Sequence, residues 1–449
     1  MRRRPDPVND TETVADRALP TELAVLLQGR VAGVLHRGRA PGSYVFTYDD
    51  GWRSDPSAFP LSLALPLASR VHDSPRLSYY LRGLLPDSEP RLNAIAHEFG
   101  VAADDPFALL AFVGEDCPGA VQFARPERVA DVQGEGAGTV EWLTDAQVAD
   151  VLRELDAENQ GRPAMVSGQF SLPGALAKVA LTWNPKTRRW GRPSGRAATT
   201  HIIKPPLRGV KFHNENEHLC LELARRSDLH AAASRILRID AQQAIVVERY
   251  DRERRGRVVH RLHQEDVSQA LGVNTRLKYA SEGAPGIADI VTLLREHAAS
   301  GLDDVYRFVR AVAFNWAIAG TDAHPRNYSV LIGPRGVVTL APLYDLASAI
   351  LLPTRTGVED LPFAMPVAGR RTLGRITRAA WEDQAKQVRL NPDRFIAEID
   401  DLLGRIGESA PVVAAVAVEE GIDEKFAARF GSRLGARAAL CRKQLSARS

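Results

Sequence analysis

The clearest chemistry in this 449-residue sequence lies in an aspartate and an asparagine five positions apart. Asp322 and Asn327 belong to the stretch GTDAHPRNY, which follows a long apolar run and precedes a predicted strand. This separation is typical of loops that transfer phosphoryl groups, in which the aspartate orients an acceptor hydroxyl and the asparagine binds Mg²⁺. A second acid, Asp345 in LAPLYDLASA, follows a predicted pair of strands, where another metal ligand is expected. Such groups suit phosphoryl transfer, which depends on positioning and charge neutralisation.

These residues also have an ordinary structural explanation. Asp322 and Asp345 could each cap a turn or a helix, since aspartate is favoured at such positions. Caps do not account well for all three residues in this order, so the phosphoryl-transfer interpretation is favoured. His324 lies in the same loop. It is expected to orient the loop through hydrogen bonds rather than to transfer a proton, because the aspartate already fills that role.

A lysine that could reach the phosphates of a nucleotide ends a predicted strand further upstream. Lys204 closes the apolar run THIIK, and the predicted helix after it carries Glu217 on the same face as apolar residues, where it could pair with the lysine. A later strand ends in VVERYDR, where the segment from Glu248 to Tyr250 is a candidate for backbone contacts to adenine. Isolated charges of this kind are usually solvated, so the lysine and glutamate alone are a weak indication.

A loop that could cover the phosphates lies between predicted strands at SLPGALAK, residues 171–178. Gly174 would let backbone N–H groups approach an anion closely, and Gly174 and Ala175 are the candidate contacts. A single glycine between strands is more often only a turn. Both interpretations of this loop therefore stay open.

The order of predicted helices and strands around these groups indicates an α+β fold with a two-lobed, protein-kinase-like core. Residues 140–257 alternate between helices and strands and predict a mixed lobe, whereas helices dominate 258–449 and predict a second lobe. Upstream, residues 21–125 predict a small α+β subdomain that begins with two strands around a Gln28-Gly29 turn. A glycine-rich linker is expected at 126–139 and a flexible tail at 1–20.

Composition excludes several other classes of protein. With 45% apolar and 25% charged residues, neither disorder nor a fibrous architecture is indicated, and a net charge of +3 is too weak to make nucleic acid the main partner. Three widely spaced cysteines indicate neither a disulfide framework nor a zinc site. The apolar stretch 308–320 is too short and too polar for a membrane span, and the opening residues lack the apolar core of a secretory signal. A cytoplasmic protein without a membrane partner is expected.

Eight short motifs, in this order along the chain, resemble those of the HipA family of toxin kinases. They are LLPDSEPR (84–91), SLPGALAK (171–178), THIIK (200–204), VERYDR (247–252), HQEDVSQALG (263–272), KYASEGAPGI (278–287), GTDAHPRNYSV (320–330) and LAPLYDLASA (340–349). The resemblance covers roughly residues 22 to 445. It implies an ATP-dependent protein serine/threonine kinase with Mg²⁺ as its metal.

The resemblance also assigns roles to individual positions. It implies a catalytic aspartate at Asp322, magnesium ligands at Asn327 and Asp345, a phosphate-binding lysine at Lys204, and backbone contacts to adenine at Glu248 and Tyr250. Gln264 and Asp266 lie in a family motif near the cleft without an assigned role. A capped helix start explains these two nearly as well.

Ser171 matches the serine that family members autophosphorylate, a modification that holds the phosphate-binding loop out of the ATP site. A phosphate of about −2 charge would not remain in a loop built to hold other phosphates. Here Leu176 and Ala177 replace the family's usual Gln-Glu pair before the loop lysine, and Pro173 stiffens the loop. Autoinhibition is therefore less strongly implied than catalysis.

Family members typically phosphorylate aminoacyl-tRNA synthetases, which causes growth arrest and persistence. They are usually neutralised by a small helix-turn-helix antitoxin that binds DNA. The resemblance thus implies a synthetase as substrate, a HipB-like antitoxin as partner, and DNA contact mainly through that antitoxin. Two alternatives remain. One is a kinase of a small-molecule or lipid acceptor. The other is a non-catalytic antitoxin-binding corepressor, which is disfavoured because the expected catalytic residues are all present.

Overall fold

The computed structural model describes residues 19–40, 42–134, 138–159, 171–352 and 356–447. Residues 1–18 of the predicted tail and residues 135–137 of the predicted linker lie outside this description. No helix among the residues that the structure describes is both long enough and apolar enough to cross a membrane.

The N-terminal part of the chain is a five-stranded antiparallel sheet with helices packed against it. Its elements are β1 (Glu22–Leu27), β2 (Arg30–Arg37), β3 (Tyr44–Tyr48), α1 (Asp50–Ser54), β4 (Val71–His72), α2 (Pro75–Gly83), α3 (Glu89–Phe99), α4 (Pro106–Val113), β5 (Val121–Ala124) and α5 (Val129–Val132). The strand order is β4-β3-β2-β1-β5. Alternate residues of β1, namely Leu23, Val25 and Leu27, are fully buried in the core of this unit. Side chains at alternate positions of a strand point to one face, so these three face this core, whereas Leu26 is buried in a separate cluster with Val132.

The predicted turn between the first two strands is confirmed. Gln28 and Gly29 both have positive φ values, 50° and 71°, as the two-residue hairpin turn between twisted strands requires. Glycine is needed at position 29 because a Cβ atom there would lie 2.6 Å from the carbonyl oxygen of Gly134. Within the predicted linker lies α5, and its Val132 is buried against Leu26. An apolar side chain at that position explains why this part of the linker is packed.

The middle of the chain forms a six-stranded antiparallel sheet. Its elements are β6 (Thr139–Trp142), α6 (Asp145–Glu158), β7 (Val179–Asn184), β8 (Arg189–Ser194), β9 (His201–Lys204), α7 (His213–Arg226), β10 (Ser234–Ile239) and β11 (Gln242–Glu248), followed by the hairpin of β12 (Arg252–Arg255) and β13 (Val258–Arg261). The strand order is β10-β11-β9-β7-β8-β6. Helix α6 begins with a capping box between Thr144 and Gln147 and packs its apolar face on the sheet.

Residues 171–178, where the sequence predicts a loop, do form a loop, and the strand after it begins at Val179. Pro173 lacks a backbone N–H, and Gly174 has a φ of 109°, so neither fits a strand ladder here.

The last part of the chain is mainly helical. Its elements are β14 (Gln264–Asp266), α8 (Val267–Ala270), α9 (Ile287–His297), α10 (Leu302–Ile318), β15 (Ser329–Ile332), β16 (Val338–Leu340), β17 (Pro362–Val367), β18 (Arg370–Thr372), α11 (Arg378–Gln387), α12 (Pro392–Glu419) and α13 (Glu424–Ser446). Helix α10 is the centre of this lobe, with Phe308, Phe314 and Trp316 fully buried. Helices α12 and α13 form a hairpin against it, and a Cβ atom at Gly431 would lie only 2.9 Å from Cβ of Ala414.

The architecture confirms the predicted fold class. A mixed lobe built on an antiparallel sheet precedes a mainly helical lobe, and a small α+β unit precedes both. The exact division into domains at residues 125, 139 and 257 stays a prediction.

Candidate active site

A cavity of about 320 Å³ lies where the six-stranded sheet meets the helical lobe. Cavities of this size are large enough to hold small molecules. All the residues that the sequence predicts for catalysis or cofactor binding line it: Gly174, Ala175, Lys204, Glu217, Glu248, Tyr250, Asp322, His324, Asn327 and Asp345. The fold thus brings together groups that lie as much as 171 positions apart, from Gly174 to Asp345.

Lys204 forms the electrostatic centre of this cavity. Its Nζ atom lies 2.7 Å from Oε1 of Glu217 and 2.9 Å from Oδ1 of Asp345. Although burial disfavours its charge, Asp345 and Glu217 raise the pKa of Lys204 above its ordinary value. The Lys204 ammonium in turn holds the pKa of Asp345 well below its usual range. Both groups are therefore charged at neutral pH, and the lysine joins the two lobes.

Helix α7 holds Glu217 in place through two asparagines on its first turns. The side chain of Asn214 donates to the carbonyl oxygen of Lys204 at 3.2 Å. The side chain of Asn216 forms two hydrogen bonds with the backbone of Ser348, 2.9 Å to its oxygen and 3.1 Å from its nitrogen. The helix is thus fixed both to the lysine strand and to the segment that follows Asp345.

The loop that carries Asp322 begins where α10 ends. Ala319 adopts a left-handed conformation with a φ of 52°, and a Cβ atom at Gly320 would lie 2.4 Å from the side-chain oxygen of Asn315. The backbone carbonyl of Asp322 accepts hydrogen bonds from the side chain of Asn327 and the backbone of His324, each at 2.8 Å. The sharp turn therefore presents the exposed Asp322 carboxylate at the mouth of the cavity.

The sequence predicts that His324 orients the loop through hydrogen bonds. Its Nδ1 atom is buried without a hydrogen-bond partner among the described residues. Burial lowers the pKa of His324 below its ordinary value, so the ring is neutral at neutral pH. Its ring packs edge-on against Tyr279 with the centroids 6.0 Å apart. Within the loop its backbone N–H donates to the carbonyl of Asp322, and a role for its ring stays a prediction.

Asp345 has an unusual backbone for a helix start. Its φ is 56°, in the left-handed region, and residues 346–348 are not helical. The preceding Tyr344 is fixed by a hydrogen bond from its hydroxyl to the carbonyl of Arg326, at 2.8 Å. A helix cap therefore does not explain this aspartate. A strained backbone held by its surroundings is typical of functional positions.

The segment predicted to contact adenine forms one wall of the cavity. The backbone N–H of Glu248 donates to the carbonyl of Ala233 at 2.8 Å. The hydroxyl of Tyr250 donates to Gln264 at 2.8 Å, and its ring stacks on Tyr344 at 5.8 Å. These contacts make the wall a fixed edge rather than a free loop. They also explain Gln264, which supports the wall through Tyr250.

The loop at residues 171–178 lines part of the cavity and brings a second lysine into it. Lys178 donates to the carbonyl of Pro173 at 2.6 Å, which closes the loop on itself. Burial and the nearby Lys204 lower the pKa of Lys178 to about 8. A Cβ atom at Gly174 would lie 2.4 Å from Nζ of Lys178, so the glycine leaves room for the ammonium. The sequence places Lys178 in this loop but predicts no role for it.

Ser171 lies apart from the cavity lining. Its hydroxyl donates to the carbonyl of Leu84 at 2.7 Å, its backbone N–H donates to the carbonyl of Asp116 at 3.1 Å, and only 1% of the residue is exposed. Both partners belong to the N-terminal unit. A further bond joins the N–H of Asp87 to the carbonyl of Gly174 at 3.2 Å. The N-terminal unit therefore holds the loop at two points.

Two groups of buried charges around the cavity are not predicted by the sequence. In the first, Arg252 donates to Asp116 at 2.8 Å and to Asp251 at 2.9 Å, and so links the N-terminal unit to the cavity wall. In the second, Arg326 pairs with Asp87 at 2.6 Å and with Asp266 at 3.3 Å. Asp266 also caps helix α8, as the ordinary explanation of its motif predicts. Burial makes these pairs costly to break.

Tyr279 is a further contact of the candidate catalytic aspartate that the sequence does not predict. Its hydroxyl donates to Oδ1 of Asp322 at 2.9 Å. The two residues are 43 positions apart, and the motif KYASEGAPGI gives no indication of this contact by residue type alone.

Comparison with known proteins covers nearly the whole chain. Residues 170–410 match a sequence model of the HipA-like C-terminal domain, and residues 23–124 match the HipA N-terminal domain. A Sinorhizobium fredii protein named provisionally as a kinase, Y4mE, is 34% identical over 427 residues, which cover 94% of this chain and 98% of that protein. The serine/threonine-protein kinase toxin HipA of Shewanella oneidensis is 26% identical, over 68% of this chain and 70% of that protein.

A solved structure shares the fold. Shewanella oneidensis HipA, in a complex described as a toxin–antitoxin system with HipB and operator DNA, matches with a TM-score of 0.79 and 22% identity. The match covers 95% of this chain and all of that one.

Proposed function

Since this chain belongs to the HipA family of kinase toxins, we propose that it transfers the γ-phosphoryl group of Mg-ATP to a serine or threonine of a protein. One observation carries most weight. Lys204 contacts both Glu217 and Asp345 in the same cavity that holds Asp322 and Asn327. Protein kinases need such a lysine–glutamate pair and a metal-binding aspartate to be in place together.

ATP would lie with its adenine along the wall from Glu248 to Tyr250 and its phosphates toward Lys204. Backbone groups of Gly174 and Ala175 would approach the phosphates from the covering loop. The ammonium of Lys178 lies in the same loop, and we assign it to the phosphates as well. Two lysines can face one polyanion because the attraction of each ammonium to the phosphates offsets the repulsion between the two.

The residues present fit a magnesium ion that arrives with the nucleotide. No cluster of three or more His, Cys, Asp or Glu side chains suited to a metal occurs in the described part of the chain. Mg²⁺ usually binds through one or two protein groups together with substrate phosphates, so Asn327 and Asp345 suffice. Asn327 donates through its Nδ2 atom to the backbone of Asp322. Its amide oxygen is not used in that bond and would be the metal ligand. When bound, the ion would neutralise the charge that develops on the phosphate oxygens.

Asp322 would act on the acceptor. Its exposed carboxylate would accept the hydrogen bond of the incoming hydroxyl and orient that oxygen toward the γ-phosphorus. The new bond joins the acceptor oxygen to phosphorus, the bond from phosphorus to the β,γ-bridging oxygen breaks, and ADP leaves with that electron pair. The hydroxyl proton passes to Asp322. Glu217 would keep the Lys204 ammonium in position throughout.

Autophosphorylation of Ser171 is part of the proposal but requires a change of position. The hydroxyl is buried and already donates to Leu84, so the loop would have to leave the N-terminal unit before the serine could act as an acceptor. Once modified, the charged side chain would not fit the same buried place. The modified loop would stay out of the ATP site and leave the enzyme inactive.

The substrate and the partner follow from the family. An aminoacyl-tRNA synthetase is the proposed acceptor, and growth arrest and persistence are the proposed consequence. A HipB-like helix-turn-helix antitoxin is the proposed partner, with DNA contacted mainly through it. The solved HipA complex with HipB and operator DNA supports this partnership. A cytoplasmic location goes with these partners.

The test combines the full-length protein with radiolabelled Mg-ATP and a panel of purified aminoacyl-tRNA synthetases. We expect wild type to label one synthetase on a serine or threonine, and Asp322→Asn to label none. Asp393→Asn, which changes an exposed aspartate of helix α12, is the matched control and should behave as wild type. Intact mass of the kinase itself, followed by site mapping, reports on Ser171.

Absence of label on every synthetase and on the kinase itself would contradict the proposal. Label on a small-molecule or lipid acceptor in place of protein would keep the chemistry and replace the substrate class. Nucleotide binding without any transfer would favour the non-catalytic antitoxin-binding alternative.

A further inference from the structure

Resting on the proposed kinase function, we propose that Tyr279 is a positioning residue for the phosphoryl acceptor. Its phenol hydroxyl would hold one oxygen of the Asp322 carboxylate, so that the other oxygen is turned toward the substrate hydroxyl. A carboxylate has two oxygens that can each accept hydrogen bonds, and a single donor on one of them fixes the rotation of the group. Tyr279 thereby acts on the reaction through the aspartate.

The geometry supports this role in three ways. The hydroxyl of Tyr279 lies 2.9 Å from Oδ1 of Asp322, within the range of an ordinary O–H···O hydrogen bond. The backbone carbonyl of Asp322 is already held by Asn327, so the tyrosine adds the restraint that the side chain lacks. Finally, the Tyr279 ring packs edge-on against His324 of the same loop, with the centroids 6.0 Å apart.

The segment that carries Tyr279 is itself held firmly. The carboxylate of Glu282 accepts hydrogen bonds from the backbone N–H groups of Lys278 and Tyr279, at 2.9 and 3.2 Å. The backbone N–H of Glu282 donates back to the carbonyl of Tyr279 at 2.8 Å, and Gly283 ends the turn with a φ of 90°. The neighbouring Lys278 pairs with Asp87 at 2.9 Å. A tyrosine on so restrained a turn is suited to orient another side chain.

The tyrosine remains a hydrogen-bond donor over the working pH range. Burial and the hydrogen bond to Asp322 raise the pKa of Tyr279 to about 12, so the phenol keeps its proton at neutral pH. Tyr279 is absent from the residues of the described chain that line the nucleotide cavity, whereas its neighbour Lys278 is among them. Removing the hydroxyl should therefore affect transfer to the acceptor and leave ATP binding unchanged.

The test is Tyr279→Phe, which removes only the hydroxyl and keeps the ring against His324. Using a synthetase that wild type labels, or the kinase's own phosphorylation when no synthetase is labelled, we expect kcat to fall about 10- to 100-fold. The Kd for ATP should be unchanged. Tyr79→Phe, which removes the hydroxyl of a half-buried tyrosine in helix α2, is the matched control and should keep wild-type kinetics.

A second measurement does not depend on activity. In protein labelled with ¹³C at the tyrosine ring carbon that bears the hydroxyl, the Tyr279 signal is assigned by its loss in Tyr279→Phe. We expect Asp322→Asn to shift this signal, because the charged acceptor is lost. An unshifted signal would overturn the proposal, because it would show that the Tyr279 hydroxyl does not contact Asp322.

The kinetic outcomes separate this proposal from the proposed function. A wild-type kcat in Tyr279→Phe, with transfer still abolished in Asp322→Asn, would overturn the positioning role and leave the kinase intact. A faster Tyr279→Phe would also overturn it, since the hydroxyl would then compete with the acceptor. Phosphate mapped to Tyr279 would overturn it by making the tyrosine an acceptor. Absence of any transfer by wild type would remove both proposals together.

Discussion

Glu265 and Leu63 join the helical lobe to the N-terminal unit, since Oε1 of the glutamate accepts the backbone N–H of the leucine at 2.8 Å. The glutamate is only 1% exposed, and its Oε2 atom has no hydrogen-bond partner among the described residues. Burial raises the pKa of Glu265 to about 8, so the carboxyl group is largely protonated at neutral pH. A neutral acid at this junction is cheaper than a buried charge.

This contact predicts a stability that depends on pH. In the unfolded chain the carboxyl ionises near its ordinary pKa of about 4.5, but in the folded protein only near 8. The folded state therefore binds more protons between these values, and the free energy of unfolding should fall as pH rises through that window. The slope from this group is at most about 1.4 kcal/mol per pH unit. Below pH 4.5 the stabilisation is fully present.

Glu265→Gln should remove this contribution because the amide keeps a similar shape without ionising. Urea unfolding at several pH values between 5 and 8 should show the variant gaining on wild type as pH rises. Glu419→Gln, which changes an exposed glutamate at the end of α12, should show no such trend. A difference between Glu265→Gln and wild type that is constant with pH would contradict the assignment.

Lys204→Met should lower kcat/KM for ATP by about 100-fold, because a charged contact to the phosphates and the fixed position of Asp345 are lost together. Initial rates at varied ATP concentration measure this effect. Lys186→Met removes an exposed lysine in the turn between β7 and β8 and is the control. Equal rates in the two variants would contradict the role of Lys204. A melting curve is needed beside the kinetics, since Glu217 is left buried without its cation.

Lys178 predicts that ATP affinity falls in alkaline solution. With a pKa of about 8 in the free protein, the ammonium is charged below that pH and neutral above it. Bound phosphates favour the charged form, so binding above pH 8 must take up a proton. Affinity should be level below pH 8 and fall above it by up to about tenfold per pH unit. Lys204 cannot cause this slope, because its pKa lies above its ordinary value.

Calorimetric titration of ATP between pH 7 and 9.5 measures the effect. In Lys178→Met the affinity should be weaker at pH 7 and nearly flat with pH. If ATP affinity depends on pH as steeply in the variant as in wild type, a group other than Lys178 causes the dependence.

Asp116→Ala should destabilise the protein by about 3–5 kcal/mol, because it leaves buried arginines without their acceptor. The aspartate is 6% exposed and accepts from Arg252 at 2.8 Å. Chemical denaturation measures the free energy of unfolding, and Asp131→Ala is the control. Asp131 forms a surface ion pair with Arg128, and its loss should cost at most about 1 kcal/mol. Equal losses in the two variants would show that the buried network contributes no more than a surface pair.

The residues that line the candidate active site could be predicted from the sequence because each is marked by its local sequence. Asp322 and Asn327 are close in the chain, Lys204 ends a strand with a plain apolar pattern, and Asp345 follows the strands β15 and β16. The end of β9 and the loop after the buried helix α10 lie at the same cleft. The structure accordingly places every predicted cavity residue at one cavity.

The supporting contacts were not accessible because they join distant segments through single side chains. Arg252 reaches Asp116 across 136 positions, and Glu265 reaches Leu63 across 202. Nothing in residue type or period specifies such a partner. The burial of Ser171 was hidden for a similar reason, since its neighbours come from the N-terminal unit.

If Ser171 is phosphorylated as proposed, its hydrogen bond to Leu84 would control when the kinase inactivates itself. The buried serine would become an acceptor only when that contact opens, and such local openings have their own free energy. The rate of inactivation would then be limited by opening of the loop and not by the phosphoryl-transfer step. Substitutions that weaken the Leu84 contact would speed inactivation, and those that strengthen it would prolong the active period.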